Sequence, residues 1–532
     1  MPGRRRHPPA APPRSQPQRD RAFTADRLEL GREAADTSEV IVALDQSKTP
    51  YVDALLAYRD RNYVAFHTPG HKHGKGAPTK LREALGMPLL QVDVAMAGGV
   101  EDTRESTALV RAAEDLAAAA WGADRCFFLV NGSTSGVHAL VLALAGPGER
   151  VIVPRNSHKS ILAGLIFSGA MPCYVEPAID PEWGIPLNID TTQAMRALKA
   201  HPNATAFFVT SPTYNGFGAD LESIANAVHG AGMPFIVDQA WGPHLRFCSH
   251  LPIDAMSAGA DAAVTSTHKL ISGITQSSVL LANRQRLSLE RLEGIVKLTQ
   301  STSPQVLIYA SIDAARAQMA THGEELWSTA LELADWARAQ LRELVGVRCL
   351  GAELLERPGV ASFDRTRLTI SGCELGHTGY QLETILRDDY RIAVEAADPL
   401  NVVLNVTYGD TMDDMRTLIA ALKDYSARFA VAGAGDDAAC RRLLLQMPGF
   451  TRQVLTPRDA FFARSRPLPL ARCVGHVSAE IVTPYPPGIP VLGPGEEISA
   501  EIVAYLAEGA AIGLKVHGPE DLTLGTLRVV ED

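Results

Sequence analysis

Val264-Thr-Ser-Thr-His-Lys-Leu-Ile-Ser-Gly-Ile-Thr-Gln-Ser-Ser278 sets one lysine, Lys269, between an apolar strand and a hydroxyl-rich turn. Ala262-Ala-Val-Thr265 reads as the end of a buried strand. Ser272, Gly273, Thr275, Ser277 and Ser278 are small or hydroxylated and let backbone and ligand approach closely. Burial disfavours an ammonium ion, so a lysine held there offers its amine as a nucleophile. Taken alone, Lys269 also fits a side chain that snorkels from a strand end.

Outward from this stretch, strands alternate with helices. The strand Arg125–Val130 leads into Asn131-Gly-Ser-Thr-Ser-Gly136 and an apolar helix, Val137–Leu144. Arg150–Pro154 runs into Arg155-Asn-Ser-His-Lys-Ser160, and Ala204–Thr210 into Ser211-Pro-Thr-Tyr-Asn-Gly216 and a helix over Leu221–His229. Pro234–Asp238 is a strand with an acid at its carboxyl end. This alternation predicts an α/β fold with a mostly parallel sheet and a ligand at the strands' C-terminal ends. Gly132, His158, Thr213, Asp238 and Lys269 all fall at or just after such ends. Asp238 and Lys269 are 31 residues apart, which suits one strand–helix–strand crossover of roughly 30 residues.

A strand, a Gly/Ser/Thr turn and a helix together present free N–H groups and hydroxyls to a phosphate. Gly132 permits the tight turn, and Ser133 and Thr134 supply side-chain donors. The turn lacks the Gly-Lys-Ser/Thr ending of a P-loop, and a plain helix N-cap would use the same residues. A reactive lysine, an acid at a strand end, a phosphate turn and a flat histidine together describe a pyridoxal 5′-phosphate site. Lys269 would hold the aldehyde as a Schiff base, and Asp238 would keep the ring nitrogen protonated through a charge-assisted hydrogen bond. His158 would stack on the ring, with Ser133, Thr134, Ser266 and His268 on the phosphate.

Composition bounds the remaining possibilities. The chain has 532 residues, 46% hydrophobic and 21% charged, enough for several domains and a large core. A net charge of −10 gives no general nucleic-acid footprint. Seven cysteines without a C-x-x-C pair argue against a disulfide framework or a zinc site and suit a reducing cytoplasm. No apolar run reaches the roughly 18 residues of a membrane helix. Residues 1–37 form an Arg/Pro-rich tail with the composition of disorder and no apolar secretory segment. Phe66-His-Thr-Pro-Gly-His-Lys-His-Gly-Lys-Gly76 is a loop suited to an anionic or carboxylate-bearing ligand, and Glu114 with Asp115 reads as a solvated helix face. Leu326–Leu344 is an amphipathic helix, and Arg367–Ile370, Arg391–Val394 and Asn401–Val406 are strands of a smaller domain. The expected layout is a cofactor domain with its leading segment over 38–340, a small α/β domain over 341–430, a linker at Ala432–Asp437, and a C-terminal domain over 438–532.

The sequence resembles the Orn/Lys/Arg decarboxylase family of fold-type-I pyridoxal phosphate enzymes. Ser266-Thr-His-Lys269, Ser272-Gly273 and Thr275-Gln-Ser-Ser278 are similar to its lysine signature. Phe66–Lys72, Asn131–Ser135, Asn156–Lys159, Ser211–Tyr214 and Val237–His244 match it in order. The resemblance runs from about Lys48 to the C-terminus and implies a third, α+β domain around Pro484-Tyr-Pro-Pro-Gly488. It implies decarboxylation of a basic amino acid, arginine first and lysine or ornithine next, to CO2 and a polyamine-pathway amine. It also implies a homodimer or higher homo-oligomer with sites at the dimer interface, where Ser303 reaches the partner's phosphate and Glu395 faces the substrate's cationic end. Longer members carry a receiver-like wing before the cofactor domain. This chain has only the Arg/Pro tail there, so it resembles the shorter, wing-less subgroup, and wing-mediated decamers are not expected. An aminotransferase of the same fold would need a second carboxylate subsite, and a catalytically silent regulator would not need Lys269, Asp238 and His158 together.

Overall fold

The computed structural model describes residues 44–95, 108–430, 448–449, 451–484 and 488–531. Its centre is a sheet of seven strands: β1 (Arg125–Leu129), β2 (Arg150–Pro154), β3 (Met171–Val175), β4 (Ala206–Thr210), β5 (Phe235–Asp238), β6 (Ala262–Thr265) and β7 (Ser278–Ala282). Their order across the sheet is β1-β7-β6-β5-β4-β2-β3. β7 runs antiparallel to both of its neighbours, and every other pair is parallel. Residues of β1, β5, β6 and β7 are buried throughout, because helices cover both faces and the strands are apolar on both sides.

One face carries α1 (Pro50–Asp60) and α2 (Ala108–Trp121), whose Tyr51, Leu55, Ala113 and Trp121 join a core with Phe128, Phe207 and Val237. The other face carries α3 (Gly132–Leu144) and α4 (Lys159–Ser168), which pack Val137, Leu140 and Leu165 against Phe127, Val151 and Val264. Gly136 of α3 has no room for a side chain. A Cβ there would lie 2.8 Å from Leu129 Cδ1 and from Val264 Cγ1, so glycine brings the helix down onto β1 and β6.

The helix α5 (Val306–Leu341) is 36 residues long. It is apolar against the main core at Tyr309, Ile312 and Trp327, and against a second core at Leu333, Ala337 and Leu341. That second core is closed by β8 (Arg348–Cys349), β9 (Arg367–Ser371), β10 (Ala396–Ala397) and β11 (Asn401–Asn405), in the antiparallel order β8-β9-β11-β10, with α6 (Gly379–Tyr390) and α7 (Met412–Phe429). A third core surrounds the ribbon β12 (Ser465–Pro469) and β13 (Thr526–Val530) and the helix α8 (Ala500–Ala511). Arg155, just after β2, makes a two-pronged ion pair with Glu496 at 2.6 and 2.8 Å and ties this C-terminal element to the main sheet.

Four expectations change. The crossover from β5 to β6 contains no α-helix, only a 3₁₀ turn at Leu245–Phe247. Pro243 and Pro252 lack the N–H groups that a continuous helix needs there. Helix α3 starts at Gly132 rather than at Val137, so Ser133 and Thr134 lie in its first turn. Arg391–Val394 is not a strand. Arg391 takes a left-handed φ of +58° to cap α6, and pairing begins only at Ala396. Glu114 is not solvated: it is 6% exposed and pairs with buried Arg125 at 2.6 Å, while Asp115 stays exposed and pairs with Arg111. The linker expected at Ala432–Asp437 and the 1–37 tail lie outside the described residues.

Candidate active site

The C-terminal ends of the sheet strands surround a cavity of about 460 Å³. Ser133, Thr134, His158, Asp238, Ser266, His268 and Lys269 all line it. They arrive from four strand ends or the turns after them: Ser133 and Thr134 after β1, His158 after β2, Asp238 on β5, and Ser266, His268 and Lys269 after β6, where polar backbone at the end of a parallel sheet remains free to face a ligand.

Lys269 lies on a single helical turn, Thr267–Leu270, directly after β6. Burial pushes its amine down to about 8, against the pull of Asp238 and Glu395. Its Nζ rests 3.8 Å from the centroid of the Trp241 ring, a cation–π contact. Asp238 closes β5 with one carboxylate oxygen accepting from Ala240 N at 3.1 Å. Burial raises its pKa and Lys269 lowers it. His158 caps α4: its Nδ1 accepts from Ser160 N at 3.3 Å and pairs with Ser160 Oγ at 2.9 Å. Burial first, then the nearby Lys269 charge, pushes His158 down to about 4, so its ring is neutral at physiological pH.

Opposite lies an anion cradle. The side chain of the α3 cap residue, Asn131, accepts no hydrogen bond from the helix end. The Gly132 N–H is taken by the Gln276 carbonyl at 2.9 Å, and the first-turn N–H groups after it have no intrahelical acceptor. Ser133 Oγ bonds Ser266 Oγ and Ser278 Oγ, each at 2.8 Å, which orients the hydroxyls of three elements together. His268 pairs through Nδ1 with the Ser277 carbonyl at 2.7 Å. The network assigns the proton to Nδ1, so Nε2 donates only when the ring is protonated. Thr210 Oγ1 and Asn156 Oδ1, on residues that also line this cavity, are buried without a partner. Unspent polar atoms in a buried pocket fit a polar ligand that supplies the missing bonds. The donors therefore suit a phosphate at one end, and the Asp238 carboxylate suits a protonated ring nitrogen.

Two expected residues stand apart. Ser303 is exposed in the turn before α5, where its N–H bonds Ser301 Oγ at 3.1 Å, and it does not line the cavity. Glu395 lines a different pocket, of about 430 Å³, with Asn405, Asp410 and Asp414, yet its charge is felt at Lys269. Burial raises the Glu395 pKa, and Arg367 and Lys269 oppose the rise. The histidine loop at 66–76 also lies off the cavity of its own chain, with His67 paired to Tyr58 and His71 to Asp93. Residues without an assigned role in the sequence line the cavity too: Trp241, Asn156, Thr210 and Tyr214. Trp241 stood inside the matched segment Val237–His244. Thr210 ends β4, so strand-end position was its signal.

Among the described residues, no group of three or more His, Cys, Asp or Glu side chains could hold a metal ion, and no helix is long and apolar enough to cross a membrane.

Residues 49–414 match the model of the Orn/Lys/Arg decarboxylase major domain, and residues 440–528 that of the family's C-terminal domain. The chain is 39% identical over 489 residues to the arginine decarboxylase of Bacillus anthracis, covering 92% of this chain and 98% of that protein. It is 40% identical over 489 residues to the arginine decarboxylase of Halalkalibacterium halodurans, with coverages of 92% and 98%. In fold it is similar to the lysine decarboxylase of Francisella novicida, with a TM-score of 0.79 at 21% identity over 91% of this chain and 81% of that one. A family model spanning most of the sequence and relatives at this identity leave one assignment: the chain belongs to the Orn/Lys/Arg decarboxylase family.

Proposed function

We propose that this decarboxylase uses pyridoxal 5′-phosphate and acts on arginine first, with lysine or ornithine next, releasing CO2 and the corresponding polyamine-pathway amine. The observation that carries the reading is the meeting of Lys269, Asp238 and the N-terminus of α3, which has no side-chain cap, on one cavity. The preference for arginine is supported by the relatives at 39% and 40% identity, which are named arginine decarboxylases. Bound there, the cofactor would supply a reactive aldehyde and a protonated ring able to act as an electron sink.

The protein's own residues do the remaining work. Ser133, Thr134 and Ser266, with the α3 N-terminus, hold the phosphate dianion. His268 adds a donor from Nε2 once protonated, which a neighbouring dianion favours. Asp238 accepts the ring nitrogen's proton bond. Its ionised form is favoured by Lys269 and by the N–H of Ala240. The neutral His158 ring walls one face of the site and carries no charge to compete with the substrate. Lys269 Nζ, deprotonated over a useful fraction of molecules because its pKa is about 8, is the nucleophile and a proton carrier at the α-carbon. Glu395 takes the substrate's cationic end, and Ser303 completes the phosphate cradle of a partner subunit in a homodimer. The corresponding layout is a cofactor domain over 38–340, a small domain over 341–430 and a C-terminal domain over 438–532, in a cytoplasmic enzyme.

The test is direct. Purified protein is supplied with pyridoxal 5′-phosphate, its visible spectrum is recorded, and arginine, lysine and ornithine are added separately while CO2 and amine are measured. Agmatine and CO2 from arginine are expected. Turnover that requires a keto acid would indicate transamination, and no spectral change with the cofactor would defeat the proposal.

A further inference from the structure

A buried guanidinium with no place in the scheme above lies behind this site. Arg367 begins β9 and is 0% exposed. It donates through one terminal nitrogen to Asn405 Oδ1 and through the other to the Trp241 carbonyl, the latter at 3.2 Å. Its Nε lies 3.7 Å from Asp364 Oδ2, and its Cζ lies 4.4 Å from the centroid of the Trp241 ring. Asp364 is itself held by His244 Nε2 at 3.1 Å and by the Thr366 hydroxyl at 2.6 Å. The charge is thus anchored on one side by a carboxylate and spends its forked donors on the other.

Those donors fix Asn405. A carboxamide has one accepting end and one donating end. With its oxygen taken by Arg367, the Asn405 amide must turn its NH2 away, and that group meets Glu395 Oε2 at 3.0 Å. The opposite rotamer would set NH2 hydrogens against a guanidinium and the amide oxygen against a carboxylate, so Arg367 and Glu395 hold Asn405 in one orientation from its two ends. Glu395 lies just before β10 with its N–H donating to the Val403 carbonyl at 2.9 Å, so its backbone is held while its side chain reaches toward solvent.

We infer that Arg367 acts through Asn405 as a positioning residue that fixes the Glu395 carboxylate for the cationic end of the substrate. The inference rests on the reading of Glu395 as the substrate's acid. It assigns specificity to a residue that touches neither substrate nor cofactor. Arg367→Lys keeps the charge beside Asp364 but loses the fork, and Asn405→Ala removes the relay while Arg367 stays in place.

The experiment compares Glu395→Gln, Asn405→Ala, Arg367→Lys and the double variant Glu395→Gln/Asn405→Ala as full-length enzyme loaded with cofactor to equal absorbance. KM and kcat for arginine are measured, together with the inhibition constant of citrulline, its uncharged isostere. Asn405→Ala and Arg367→Lys are expected to raise KM for arginine on the order of tenfold with kcat changed by less than about twofold. Citrulline binding is expected to stay unchanged, and Asn405→Ala to add nothing in the Glu395→Gln background. A rise for citrulline that parallels the rise for arginine would mean general damage to the fold and would overturn the inference. So would an unchanged KM in Asn405→Ala while Glu395→Gln raises it. An unchanged KM in Glu395→Gln instead removes the role of Glu395, and the inference with it. Asn405 is only half-buried, so its variant decides the matter if Arg367→Lys folds poorly.

Discussion

Lys269→Met in the cofactor-free chain isolates the electrostatic cost of the cavity without any turnover. Burial pushes the Lys269 amine from its ordinary 10.5 to about 8. In the unfolded chain the side chain is solvated and keeps the ordinary value. Between pH 8 and 10.5 the unfolded state therefore binds more protons than the folded one, and stability rises with pH across that window. Below pH 8 the penalty is fully present. A span of about 2.5 pH units at roughly 1.4 kcal/mol each makes it about 3 kcal/mol. Methionine fills much of the same stem volume and carries no charge. In urea melts followed by tryptophan fluorescence, wild type should gain on Lys269→Met by about 3 kcal/mol from pH 7 to pH 11. The comparison begins at pH 7, above the ordinary carboxylate range. A difference that does not vary with pH would refute the argument, because it would mean that the folded lysine titrates where a solvated one does.

Other outcomes follow from single contacts. Arg125→Met leaves Glu114 charged and buried without its partner, and should cost about 3 kcal/mol in chemical denaturation. Gly136→Ala forces a methyl group against Leu129 and Val264 at 2.8 Å. It should destabilise by about 1–3 kcal/mol in thermal melts and weaken cofactor retention, since α3 carries the anion cradle. Glu496→Ala strips Arg155 of its two-pronged partner and should speed limited proteolysis of the C-terminal element while the main sheet holds. Asp238→Asn should still capture cofactor but lower kcat by about 100-fold or more, read as CO2 released per active site.

The α/β class and the mostly parallel sheet were legible because apolar runs such as Ala262–Thr265 and Phe235–Asp238 are followed at once by polar, chemistry-bearing residues. Seven of the nine expected site residues sit at those junctions and line the cavity, since the end of a buried parallel strand is where a side chain can face a ligand. The two exceptions follow from what a linear reading lacks. Ser303 is expected at another subunit's site, and Glu395 lines a different pocket, bonded to Asn405. Glu114 was misread because a helix rich in alanine looks amphipathic in either rotation, and only the distant Arg125 decides which face is inside. Arg367 carried no signal at all, for a lone arginine at a strand start gives no hint that its partners lie at Trp241, Asp364 and Asn405.

The place of β1 at the sheet's edge bears on how the chain is made. Its hydrogen-bonding partner is β7, so Arg125 pairs with Ala282 and Leu129 with Ser278. A ribosome that has just released β1 must add about 150 more residues before the partner strand exists, roughly 8–30 s at about 5–20 residues per second. Throughout that interval Cys126-Phe-Phe-Leu129 has apolar faces and open backbone groups. Ser133, Ser266 and Ser278 likewise cannot meet until β7 is laid down. The nascent chain therefore brings these three hydroxyls together and pairs β1 along its inner side in a single late event.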